Sequence, residues 1–121
     1  MNYDNNNIFA KILRGEIPCK KIYEDDFVLS FYDINPQKKI HALVIPKGKY
    51  IDLDDFNSNA SNEEIVGLMK AITTVSKKLG ISSIDGNGYR ALANISDYGG
   101  QEVPHLHFHL FGGEKVGKMV S

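Results

Sequence analysis

A single cysteine, Cys19, stands in the 121 residues. No internal disulfide can therefore brace the fold, and Cys19 reads as a small, partly buried hydrophobe. No apolar run approaches the length needed to cross a bilayer. The polar segment Met1–Asn7 has no cationic stretch followed by an apolar one, so it does not read as a signal peptide, and the cytoplasm is the expected location. Basic charge is not in excess: the formal net charge is -1. That excludes the footprint expected for long nucleic acid, although net charge does not report a small anion held by backbone amides and imidazoles. No repeat at solenoid spacing occurs. What remains is an ordinary globular composition, 42% hydrophobic and 24% charged, in a chain of one-domain length that can bury a core unaided.

Along the chain, residues 1–7 read as a disordered lead, 8–113 as the domain and 114–121 as a C-terminal tail. Ile8 to Arg14 reads as a short helix with Ile8, Phe9, Ile12 and Leu13 on one side, ended by Gly15. Residues 19–24 and 27–33 read as strands around a Glu24-Asp25-Asp26 turn. Asn35-Pro36 marks another turn, and His41 to Ile45 a buried strand closed by Pro46. Residues 51–60 are polar and hold a short helical turn. Ser61-Asn62-Glu63-Glu64 is a capping box. The helix it opens runs to about Leu79, with Ile65, Leu68, Met69, Ile72, Val75 and Leu79 at core-facing spacing and Gly80 as its stop. Tyr89 to Asn94 and His105 to Phe111 read as the last strands, separated by the polar, Gly-rich loop Ser96–Gln101. The predicted class is α+β: a five-stranded antiparallel sheet meander with one main helix and a short N-terminal helix. The second sheet face is left for a ligand, the short helix or another subunit to cover.

Three of the four histidines fall within five residues, His105-Leu106-His107-Phe108-His109. Alternation in a strand sends the three imidazoles to one face and the apolar residues to the other. Strand surfaces ordinarily carry Thr, Val, Lys or Tyr; aligned imidazoles suit ligands, metals and proton transfer. For metal the spacing is poor. Same-face residues lie about 7 Å apart and the outer pair about 13 Å, so one ion cannot readily take all three, and His41 or a carboxylate would have to complete the set. No metal and no cofactor is therefore expected. Catalysis fits better: the central His107 as nucleophile with its second nitrogen held by an acceptor, its neighbours binding phosphate oxygens or passing a proton, and the Gly99-Gly100 loop bringing backbone N–H groups near an anion.

The run His105 to Phe111 resembles the signature of the histidine triad (HIT) superfamily. Other stretches resemble its Hint (histidine triad nucleotide-binding) branch: Ile8–Ile12, Glu16-Ile17-Pro18, Glu24-Asp25-Asp26, Phe31–Pro36, His41–Lys47, Asn94 and Gly99-Gly100-Gln101. The likeness spans roughly residues 7–113. It implies a homodimer with a continuous sheet, binding of purine nucleoside monophosphates, and hydrolysis of nucleoside 5′-phosphoramidates through a nucleotidyl-histidine intermediate. His109 matches the hydrolase pattern, where the transferase branch has glutamine.

By the same resemblance, His107 matches the nucleophile, His109 the phosphate-binding and proton-handling histidine, and His105 the member whose carbonyl orients the nucleophile. His41 matches a fourth histidine that tunes the triad. Asp33 matches the carboxylate that takes both ribose hydroxyls, although before a turn it can be a turn former alone. Ile8, Phe9, Ile12, Phe31, Ile34 and Leu43 match an apolar base pocket, and also read as core. Asn94 and Gly100, with Gln101 and Glu102 beside them, match the phosphate side. Glu102 departs from the serine or threonine of some members, since a carboxylate repels phosphate; Tyr32 replaces a histidine found in others. Three further functions compete: a dinucleoside polyphosphate hydrolase of the same superfamily, a nucleotide-binding interaction protein with vestigial catalysis, and a metal-dependent hydrolase.

Overall fold

In the computed structural model, which describes residues 2–120, each helix begins at a side chain that accepts one of its free amides. Asn7 accepts from Ala10 N–H at the start of α1 (Ile8–Leu13). Asp52 accepts from Asp55 N–H at α2 (Leu53–Asn59), and Ser61 Oγ from Glu64 N–H at α3 (Asn62–Lys78). Glu64 accepts in return from Ser61 N–H, completing the capping box read from the sequence. Gly80 follows the end of α3 at φ 72°, the left-handed conformation that stops a helix.

Five antiparallel strands form one sheet: β1 (Lys21–Glu24), β2 (Val28–Tyr32), β3 (Ile40–Pro46), β4 (Arg90–Leu92) and β5 (Phe108–Gly112). The α+β class is as expected. Only β1 to β3 form a meander, because the spatial order is β1-β2-β3-β5-β4. β3 is buried from His41 to Pro46, which is why it lies inside the sheet: β5 must flank it opposite β2, leaving β4 at the edge.

Alternation along β3 divides the interior in two. Ala42 and Val44 face α3, packing with Val28, Leu68, Ala71, Ile72, Val75, Leu106 and Leu110. Leu43 and Ile45 face the other way, into a smaller cluster with Phe9, Leu29 and Phe31 under α1. Met69, which the helical spacing places on the core, is 47% exposed, as is its neighbour Val66 at 50%. Met69 sits roughly 100° around the helix from Leu68, beyond the stripe that the sheet covers.

The last strand is shorter than its sequence pattern. His105 to Phe111 was the expected span, but the β3–β5 ladder starts at Val44 opposite Phe108. Before it, Leu106 N–H turns to Tyr50 O and His105 N–H to Val103 O. Two of the three clustered histidines therefore precede the ladder, His105 in a bend and His107 just before the strand. Residues 2–7, read as a disordered lead, carry a turn in which Asn7 donates to Asp4 O, and Arg14 ties Asn5 O. No helix among the described residues is long and apolar enough to cross a membrane.

Candidate active site

The alternation survives outside the ladder. Leu106 and Leu110 are buried beneath α3, while His105, His107 and His109 lie on the α1 side. β3 and β5 pair His41 with Phe111 and Leu43 with His109, which brings the fourth histidine onto the triad. Asp33, just after β2, is joined to this corner by its N–H, which donates to His41 O.

The hydrogen bonds determine which ring nitrogens carry protons, given that burial keeps all four rings neutral. Pro46 O can only accept, so His105 Nε2 donates to it at 2.9 Å. His105 O likewise only accepts, so His107 donates through Nδ1 at 2.8 Å. His107 Nε2 is left unprotonated, with no partner among the described residues; since none of their buried side-chain nitrogens lacks a partner, it opens to the small cavity lined by His107. Gln37 N–H donates to His41 Nδ1 at 3.2 Å, so the proton of His41 sits on Nε2, 2.9 Å from His109 Nδ1. His109 accepts there and keeps its own proton on Nε2. The result is one acceptor nitrogen and one donor nitrogen on rings whose centroids are 4.9 Å apart.

The cavity they share measures about 180 Å³ and is walled by Phe9, Asp33, Leu43, Asn94, Gly100 and Glu102 among others. Six of the residues singled out from the sequence thus line the cavity with His107 and His109, Gln37 and Val103 being unexpected neighbours. Phe31 is buried behind Phe9 and Leu43, with Ile12 packed against the same cluster. Ile8 and Ile34 are exposed, Ile34 at 80%; Ile34 lines a separate, larger cavity with Asp33 and His41. Asp33 is a turn former too, its Oδ1 accepting from Asn35 N–H. The Gln101 amide does not face the cavity: it accepts from Ser96 N–H and donates to Ile51 O and Val103 O, bracing the loop. The loop amides differ from expectation as well. Gly100 N–H donates to Asp97 O and Gln101 N–H to Ser96 O, so neither is free for an anion. Gly100 itself lies at φ 76°, where a side chain is strained.

Three further contributors were not read from the sequence. Phe111 stacks on His109, rings 2° from parallel. Pro46 offers the carbonyl that fixes His105. Tyr3 places its hydroxyl 2.6 Å from His105 Nδ1; the only signal for it is one aromatic residue in a polar lead. Among the described residues, Asp33, His41 and His109 each bring one metal-ligating atom within 4.8 Å of the others, and His41 Nε2 and His109 Nδ1 share a hydrogen bond.

Comparison with known proteins adds to this geometry. The HIT domain family matches residues 14–116. A purine nucleoside phosphoramidase of Escherichia coli K12 is 41% identical over 114 residues, covering 94% of this chain and 92% of that protein. A HIT-like protein of Azospirillum brasilense is 51% identical over 119 residues, covering 98% and 95%. A solved HIT family hydrolase from Clostridium thermocellum superposes with a TM-score of 0.85 at 36% identity, covering 98% of this chain and 99% of that one.

Burial holds the histidines neutral. It lowers His105 to about 4, and His109, beside His107 and His41, also to about 4. It lowers His107 and His41 as well, partly offset for His107 by its bond to His105 O and for His41 by Asp33. The unfolded chain therefore binds more protons than the folded one once the pH drops below the ordinary histidine value of 6.5. Stability is full above that value and is lost as pH falls toward 4. Carboxylates add their loss lower down: Glu24, between Lys21 and Lys47, is held at about 2 against an ordinary 4.5. We predict that the urea midpoint falls between pH 6.5 and 4.5, a window that belongs to the histidines. A flat midpoint there would contradict their neutrality.

Proposed function

The chain belongs to the HIT domain family, and on that premise we propose that it hydrolyses purine nucleoside 5′-phosphoramidates through a nucleotide covalently attached to His107. One observation supports this above the others. His107 is neutral, held by Nδ1–H to the His105 carbonyl, and presents an unprotonated Nε2 to a cavity walled by His109. That is the state an imidazole needs to attack phosphorus. The similarity to a purine nucleoside phosphoramidase supports the same substrate class.

In this reading the nucleoside lies against Phe9, Ile12, Phe31 and Leu43, with Ile8 and Ile34 at the rim. Asp33 takes the ribose hydroxyls; its oxygens retain lone pairs beyond the one used by Asn35. Asn94 and Gly100 line the phosphate position, Gln101 holds their loop, and the exposed Glu102 side chain is dispensable. A bound phosphate anion counteracts burial and favours the imidazolium form of His109. His107 Nε2 attacks, the P–N bond to the amine breaks, and the amine leaves with the proton from His109. Water then attacks the phosphorus and returns a proton to His109. The P–N bond to His107 breaks, and the nucleoside monophosphate is released. No step calls for a metal or cofactor.

We also assign a cytoplasmic location and a homodimer. The β4 edge is unpaired in one chain, and α3 exposes Val66 and Met69 nearby in sequence to its core stripe; a symmetric copy is the common way to cover such an edge. Sedimentation at micromolar concentration should give the dimer, and a monomer would contradict it.

The covalent step is tested by rapid acid quench during turnover, followed by peptide mass spectrometry. A nucleotide adduct on the peptide containing His107 is expected, and His107→Ala should lose turnover while still binding AMP. No adduct, together with near-normal turnover of His107→Ala, would overturn the assignment in favour of direct attack by water. Asp33→Ala should weaken ribonucleotide binding by about 1.5–3 kcal/mol, the scale for a hydrogen bond to a charged group, and 2′-deoxynucleotide binding by less. Equal losses would remove Asp33 from ribose recognition.

A further inference from the structure

His105 does not line the cavity that holds His107 and His109, yet its ring is fully buried and both of its nitrogens are bonded. Nε2–H donates to Pro46 O. Nδ1 is consequently a lone-pair acceptor, and the group that meets it is the Tyr3 hydroxyl at 2.6 Å. Tyr3 must therefore be the donor. Its ring also meets the imidazole edge-on, centroids 5.7 Å apart at 73°. The segment carrying Tyr3 is itself fastened: Asn7 donates to Asp4 O and caps α1, and Arg14 reaches back to Asn5 O. Phe9 of α1 then sets its ring against both His105 and His107, 6.3 and 4.9 Å away.

We propose that Tyr3 is a positioning residue of the active site: its hydroxyl locks the His105 ring, and through it the His105 carbonyl that fixes the proton of His107. This rests on the reading of His107 as nucleophile. The chain of causes is short. Two anchors on opposite sides of one buried ring, Tyr3 and Pro46, leave residue 105 no freedom to turn. The carbonyl of that residue is the sole acceptor for His107 Nδ1–H. Removing the hydroxyl leaves a buried acceptor with no donor, so the ring turns or admits water and the carbonyl moves with it. His107 then samples the tautomer with its proton on Nε2, which has no lone pair there to attack with. Tyr3 touches neither phosphate nor nucleoside, so nucleotide binding should not register its loss.

The test compares the wild-type protein with Tyr3→Phe, using Tyr98→Phe, a hydroxyl removed from a fully exposed ring, as control. Ring-nitrogen NMR on isotopically labelled histidine, without substrate, should find His107 protonated on Nδ1 and His105 on Nε2 in the wild type and in Tyr98→Phe. In Tyr3→Phe the His107 signals should shift toward a mixture of tautomers. With a purine nucleoside phosphoramidate as substrate, kcat of Tyr3→Phe should fall about ten- to a hundredfold, the scale for partners that orient a functional histidine. AMP affinity should stay within about twofold, well short of the tenfold that 1.4 kcal/mol would give. Unchanged His107 signals in folded Tyr3→Phe overturn the proposal, whatever the rates. Turnover absent from the wild type would defeat the proposed function alone, since the NMR comparison still decides the role of Tyr3.

Discussion

The 2.8 Å bond from His107 Nδ1–H to the His105 carbonyl decides which nitrogen faces the cavity, and everything else in the site is arranged around it. In water an imidazole exchanges its proton between nitrogens and gains another near pH 6.5. Here burial removes the second option and the carbonyl removes the first. The cost is borne by the fold: four histidines kept neutral at a depth where protonation is unfavourable give up stability at acid pH. The site thus depends on the sheet and α1 shutting out water on one side while leaving one nitrogen open on the other.

The carbonyl can play that part because the sheet ends where it does. Pro46 closes β3, and the ladder to β5 begins only at Phe108. His105 and His107 therefore lie just past the paired region, where carbonyls have no ladder partner and are free to accept from imidazoles. One step into the ladder, His109 is held instead by its neighbours: His41 from β3 bonds its Nδ1 and Phe111 stacks on its face. Loss of pairing supplies the acceptors, and the adjacent strand supplies the second histidine pair.

Much of this was legible in the residues. The capping box, the stop at Gly80 and the apolar partners of the histidines are local patterns with a fixed geometric meaning, and they reappear as read. What was not legible depends on neighbours distant in sequence. The insertion of β5 between β3 and β4 follows from which strand is buried on both sides, which a run of apolar residues only hints at. Met69 fits the helical period yet is exposed, because it lies roughly 100° around the helix from the buried Leu68. The loop amides of Gly100 and Gln101 look available for an anion until Asp97 and Ser96 accept from them. Tyr3 was hidden by its surroundings: a polar lead suggests disorder, and the buried acceptor that orders it lies about a hundred residues away.

The pairing of one acceptor and one donor imidazole at a shared cavity is the ground for proposing metal-free nucleotidyl transfer to water, and the substrate selected is the most direct test of that proposal. One purified sample should be given a purine nucleoside phosphoramidate and a dinucleoside polyphosphate in parallel, each with and without excess chelator. Preferential turnover of the phosphoramidate, unaffected by chelator, is the predicted result. Preference for the polyphosphate, or phosphoramidate turnover abolished by chelator, would contradict it.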